Sequence, residues 1–241
     1  MWDRPTLKER AKAELKQSYP LSLGVSTVAY VIPTIVQRVL TAVFGLVSYF
    51  SVYELYSYMT SYYRNDVTFL SLLLTALTTF IVTVLASILD VGRSLYYINA
   101  AKGNRDFNNL FLPFTSGKFV QIAKTTFLVN LRITLWTLLF IVPGIIKSYE
   151  YRMVPFILAE NPDLSTKEAI AISSAMTANE KMNIFVLDLS FLGWLILASI
   201  LPYNIGILVL NPYIDATNTQ LYEALKYKLN ANSGFTPPPA Y

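Results

Sequence analysis

Long apolar stretches separated by short polar ones dominate the chain. Three of them carry no charge at all: Gln17 to Gln37, Val67 to Leu89 and Leu189 to Ile214. A bilayer core is crossed by about 20 apolar helical residues, so each run predicts a membrane-spanning helix. Extending the pattern to runs that hold a charge or a break gives six expected spans. They lie at 20–47, from 67, at 119–142, 145–159 and 184–201, and from 205 onward.

The polar segments have their own period. In "PTLKERAKAELKQSY", residues 5–19, an apolar stripe of Leu7, Ala11, Leu15 and Tyr19 runs beside Lys8, Lys12 and Lys16, and Thr6-x-x-Glu9 has the capping-box spacing. This predicts an amphipathic helix on the cytoplasmic membrane surface, with its lysines near anionic lipid. Ser165-x-x-Glu168 opens a second short polar helix with Ala169, Ile172, Ser173 and Met176 on one face. Gly103-Asn104 is a helix stop, and Pro113 and Gly117 break the connector after it. Beyond Ile205, an apolar face of Ile207, Leu210, Ile214, Leu221 and Leu225 alternates with a polar one of Asn211, Asp215, Asn218 and Tyr222.

The stretch "IVPGIIKSYEYRMVPF", residues 141–156, is apolar up to Pro143-Gly144 and then carries Lys147, Glu150 and Arg152. Two readings arise. A single kinked helix over 119–159 would be about 60 Å long, twice the hydrocarbon thickness. The alternative is a hairpin at Pro-Gly. The hairpin puts Lys167 and Lys181 on the same side as Arg4 to Lys16, Lys102, Arg105, Lys118, Lys226 and Lys228, which the positive-inside rule favours. The expected architecture is therefore an all-α polytopic transmembrane helical bundle of six spans in three hairpins, with amphipathic surface helices and both termini cytoplasmic. Residues 1–19 form the surface helix and 20–229 the membrane domain. Residues 230–241, ending "PPPAY", form a disordered tail with a proline-tyrosine pattern.

Composition agrees with that class: 54% of residues are hydrophobic, only 14% are charged and the mean hydropathy is +0.44, against a usual charged share of about 25%. The loop at 48–66 is rich in tyrosine, an interface residue. No cleavable leader is recognised, and the first span is expected to serve as an uncleaved targeting signal. Cysteine and histidine are both absent, which excludes disulfides, thiolate chemistry and the commonest general base and metal ligand. No nucleotide or hydrolase fingerprint is present. No enzyme activity, cofactor or metal is expected, and the net charge of +4 gives no support to nucleic-acid binding.

Candidate chemistry rests on charges in apolar surroundings, where each costs at least about 2.5–3.5 kcal/mol near the bilayer centre. Arg38, Asp90, Arg93, Arg132, Lys147, Glu150, Arg152, Asp188 and Asp215 are so placed. The candidate intramembrane polar site is Arg132, Lys147, Glu150, Arg152, Asp188, Asn211 and Asp215. Lys147 and Glu150 sit one helical turn apart, and Asp188 and Asp215 are expected to meet Arg132 or Arg38. Such a set either lines a wet cavity for an ion, small solute or lipid headgroup, or forms fixed structural pairs.

The blocks "IVPGIIKSYEYRMVPFILAENPDLSTKEAIAIS", "FVLDLSFLGW" and "GILVLNPYIDAT", with "LKERAKAELK" and "DVGRSLYYINAAKGN", resemble a bacterial integral membrane family catalogued as domain of unknown function 975, over residues 6–228. The resemblance implies a multi-span helical membrane protein and supplies no reaction, ligand or catalytic residue. The tyrosine-rich loop and Glu180-Lys181 depart from the family pattern. The expected function is a non-enzymatic envelope accessory or interaction protein, with a membrane-protein partner or a second copy of itself. The alternative is a small transporter or channel using the buried carboxylates.

Overall fold

In the computed structural model of the chain, residues 2–56, 64–201 and 205–233 are described, and all regular elements among them are helical. Expectations for 57–63 of the tyrosine-rich loop, 202–204 of the "PYNIG" break and 234–241 of the tail lie outside the described residues. The chain divides into two compact units, one of residues 1–29 with 87–241 and one of residues 30–86.

Among the described residues, three helices are long and apolar enough to cross a membrane: Arg4–Gly45, Ser71–Ala101 and Lys181–Ser199. The other expected spans fall short for visible reasons. Helix α4 (Phe119–Leu139) carries Lys124 and Arg132, the arm after it is split into two short helices, and α9 (Ile205–Ser233) has a polar face and an internal Pro212. Helix α9 continues through Ser233, into the segment expected to be disordered.

Helix α1 (Arg4–Tyr56) runs without a break through Pro20 and Pro33, so no boundary separates the polar start from the apolar continuation. Its first turn also differs from the expected capping box. The Asp3 carboxylate, not Thr6, takes the orphan amide, accepting from the Thr6 N–H at 3.2 Å, and Pro5 occupies a first-turn position that needs no donor. The stripe of Leu7, Ala11 and Leu15 is buried by protein. Lys8 Nζ donates to the Ser190 carbonyl (3.4 Å), Gln220 to Glu14 (3.0 Å) and the Tyr19 hydroxyl to the Val209 carbonyl (3.1 Å). Lys12 and Lys16 stay exposed.

Helix α2 (Arg64–Ala101) ends at the predicted stop, where Gly103 takes φ +90° and its N–H bonds back to the Ala100 carbonyl. Its last turns pair with α1: Ser22 with Tyr96 (3.2 Å), Ser26 with Tyr97 (2.8 Å) and Gln17 with Arg105 just past the helix end (2.8 Å). A 3₁₀ turn (Phe107–Leu110), capped by Asp106, and the short α3 (Leu112–Thr115) then lead to Gly117 at φ +71°.

Helix α4 stops at Phe140, whose extended backbone (φ −154°, ψ 132°) is a one-residue break before α5 (Ile141–Glu150). The reversal thus lies three residues ahead of the expected Pro-Gly turn. Pro143 sits in the first turn of α5, where its missing N–H is harmless. Gly144 is needed for the return, since a Cβ there would lie 2.2 Å from Thr137 Oγ1 and 2.6 Å from Thr137 Cα. After a turn at 151–153, α6 (Val154–Glu160) brings the chain back to the start of α4. There Gln121 donates to the Leu164 carbonyl (2.7 Å), Thr125 meets Thr166 (2.9 Å) and Lys118 pairs with Asp163.

Helix α7 (Thr166–Thr177) has the predicted capping box in full: Ser165 accepts from the Glu168 N–H, and Glu168 from the Ser165 N–H. Its buried face is Ala169, Ile170, Ser173, Met176 and Thr177, rotated slightly from the expected one. Helix α9 runs back along α8 (Lys181–Ser199), with Lys228 on Glu180 at one end and the Phe191 and Tyr213 rings edge-to-face at 5.4 Å between. Gly206 lies against Ala198 at the other end.

Candidate functional site

The charged residues of the 141–156 stretch are distributed by the break at 151–153. On α5, Lys147 and Glu150 face α7 and the start of α8. Glu150 Oε1 accepts from Lys147 Nζ (2.9 Å) and Ser174 (3.0 Å), and Oε2 from Lys181 Nζ (2.8 Å). Its carbonyl accepts from Ser173 (2.7 Å) and Thr177 (3.3 Å), which fixes α5 to α7. The expected Lys147–Glu150 contact is present, and Lys181 is a partner that sequence spacing does not reveal.

Arg152 leaves the helical path in that turn, because Pro155 cannot continue the ladder of α5. Its guanidinium forks onto both oxygens of Asp188 on α8 (2.5 and 2.8 Å) and donates to Asn218 Oδ1 on α9 (2.9 Å). The Tyr149 hydroxyl adds a bond to Asp188 (2.9 Å). Asp188 therefore meets Arg152, neither Arg132 nor Arg38.

Asp215 on α9 is buried and meets Arg93 of α2, at 3.2 Å, together with the Ser26 hydroxyl at 2.6 Å. Arg93 also pairs with Asp90 one turn earlier. Between this group and Arg152 is a polar cavity of about 120 Å³, lined among others by Arg93, Tyr97, Asp215 and Asn218. Of the remaining candidates, Arg132 is exposed on α4 and Asn211 half-buried on α9, and neither belongs to these networks. Asp90-x-x-Arg93 was the one sequence signal for the Asp215 partner, an opposite-charge pair at helical spacing within "LDVGRSLYY".

A further acid was not anticipated. Glu160, only 5% exposed, accepts from Lys226 (2.7 and 2.5 Å) and from the Tyr222 hydroxyl (2.7 Å), with Lys102 at 3.5 Å. Burial alone would push its carboxyl up, but the bonds from Lys226 and Tyr222 outweigh it and hold the group below its ordinary value of 4.5. A depressed carboxylate stabilises the fold above its unfolded value and loses that contribution as pH falls through the folded one. Detergent-solubilised protein is expected to lose thermal stability as pH drops below 4.5, and Glu160→Gln to show a shallower acid limb. An unchanged limb would refute this role for Glu160.

Chemically, the arrangement holds carboxylates against cations and hydroxyls. Among the described residues no group of three acids or other ligands is placed to hold a metal ion. Comparison with curated proteins and with solved structures gives no match. The early blocks "LKERAKAELK" and "DVGRSLYYINAAKGN" lie outside the family match, so the resemblance is borne out over a shorter stretch than expected. Residues 138–228, which hold Lys147, Glu150, Arg152, Asp188 and Asp215, match the family described as protein of unknown function (DUF975).

Proposed function

We propose that this chain is a multi-pass integral protein of the cell membrane that works without catalysis, as an accessory or interaction component of the envelope. One observation carries the reading: Glu150, Asp188 and Asp215 are each held by at least one basic side chain and one hydroxyl. A carrier must release its carboxylates to bind and discharge cargo. Carboxylates locked in forked and shared pairs instead specify how helices pack. The alternative reading, transport of a proton, ion or small solute, is favoured only by the small cavity beside Asp215.

The bases of the two late helical pairs support a cytoplasmic side, since Lys118, Lys226 and Lys228 pair there with Asp163, Glu160 and Glu180, while the exposed Lys12 and Lys16 of α1 lie farther along the bundle, Lys12 beside the Tyr213 ring. Those α1 lysines are suited to anionic headgroups, and a membrane-protein partner or second copy is the natural target for the apolar surface. The contact registers of α1 with α2, α4 with α5–α6 and α8 with α9 support three hairpins. Six crossings would further require the α4–α5 apex to reach the far side.

Reconstituted in sealed vesicles, the protein is expected to pass no proton or cation current above that of empty vesicles. A current that Asp215→Asn abolishes would overturn the accessory reading and establish the transporter.

A further inference from the structure

A larger cavity lies elsewhere, at the end of α2. It measures about 550 Å³ and is enclosed by the last turns of α2, the 103–118 connector, the start of α4 and the end of α6. This volume is within the ~300–1,000 Å³ of small-molecule sites. Its deep walls are apolar, formed by Val91, Leu95, Leu112, Ile122 and Leu158 among others. Its polar lining combines the already paired Glu160 and Lys118 with donors not yet used. Asn109 is 5% exposed, and its Nδ2 has no hydrogen-bond partner. Among the described residues the side chains of Asn99 and Asn104 make no hydrogen bond either. Lys102 is half-exposed and approaches Glu160 only to 3.5 Å, while Lys226 and Tyr222 already satisfy that carboxylate at 2.5–2.7 Å.

We propose that this cavity binds an anionic, phosphate-bearing amphiphile, with the phosphate on Lys102 and the Asn99, Asn104 and Asn109 amides and the first part of the apolar chain along Leu95 and Ile122. Phosphate oxygens only accept, and the uncommitted groups here can all donate. A buried amide N–H without a partner costs about 1–3 kcal/mol, and a bound acceptor would remove that cost. A bare anion would leave most of the volume as water against apolar walls, whereas an amphiphile fills both halves. The connector is held in place for this role. Asp106 caps the 3₁₀ turn that carries Asn109, and Leu110 lies directly on Gly92 of α2. The site does not depend on whether the protein conducts ions.

The test is binding to purified protein in a neutral detergent, with dioctanoyl phosphatidic acid as probe and dioctanoyl phosphatidylcholine and inorganic phosphate as comparators. Phosphatidic acid is expected to bind at least tenfold more tightly than either. Lys102→Gln, a half-exposed change, is expected to weaken it about tenfold. Asn109→Ala is expected to weaken it too while raising the thermal stability of the ligand-free protein, a split that a purely structural asparagine would not give. Equal binding of the two lipids, or an unchanged affinity in Lys102→Gln, overturns the proposal. Inorganic phosphate binding as tightly as phosphatidic acid overturns the amphiphile and leaves a soluble phosphate as the ligand.

Discussion

Gly92→Ala is expected to destabilise the protein by about 3 kcal/mol, a large share of the stability of an ordinary domain. A Cβ at this position would lie 1.9 Å from the Leu110 carbonyl oxygen and 2.7 Å from its carbonyl carbon. These are backbone atoms of the 3₁₀ turn, so no side chain can swing away to relieve the clash. Alanine gains about 1 kcal/mol of helix propensity over glycine, which offsets only part of the cost. Gly193→Ala on α8 is the matched control. Nothing lies within 4 Å of its Cβ position, and the change is expected to be neutral or stabilising by up to about 1 kcal/mol. Thermal unfolding of the two variants in the same detergent decides the matter. If Gly92→Ala melts with the parent, the connector is not pinned on α2 and the roof of the large cavity is not rigid.

What could be read beforehand was local. The Ser165 capping box, the stop at Gly103, the polar face of α9 and the Lys147–Glu150 pair each follow from residues a turn or two apart. Partners across helices could not be read. Asp188 and Asp215 were recognisable as acids needing cations, but pairing Asp215 with Arg93 depends on α2 lying beside α9, and pairing Asp188 with Arg152 depends on a turn placed by Pro155. Glu160 resembled a loop acid, because its partners Tyr222 and Lys226 come more than sixty residues later. The reversal at Phe140 carries no sequence mark of its own. Pro143-Gly144 pointed to the right neighbourhood, but proline suits a first helical turn as well as a bend, and here it takes the first turn.

The apex of that reversal is expected to lie within the hydrocarbon and not on the far side of the bilayer. Leu138, Leu139, Phe140, Ile141 and Val142 are 83%, 66%, 69%, 70% and 66% exposed. Each would recover about 1.5–3 kcal/mol on full removal from water, so leaving all five in an aqueous outer loop would cost on the order of 5–10 kcal/mol. Helix α5 has ten residues and extends about 15 Å, half the hydrocarbon thickness. With the apex near mid-bilayer, exposed Arg132 lies about 10 Å below it and can snorkel to the headgroups. Lys147 lies at a matching depth, near the Trp136 and Tyr151 rings at 6.0 and 5.6 Å. Glu150 and Lys181 then fall at the water boundary, which accounts for charges following so soon after the apolar run. The cysteine-free chain accepts single nitroxide labels at Leu138, Val142 and Ser116. Labels at 138 and 142 are expected to be relaxed by oxygen dissolved in lipid and to be insensitive to a water-soluble relaxing agent, with the reverse at 116. If the water-soluble agent reaches 138 and 142 from the outer face, the hairpin crosses the bilayer and six spans follow.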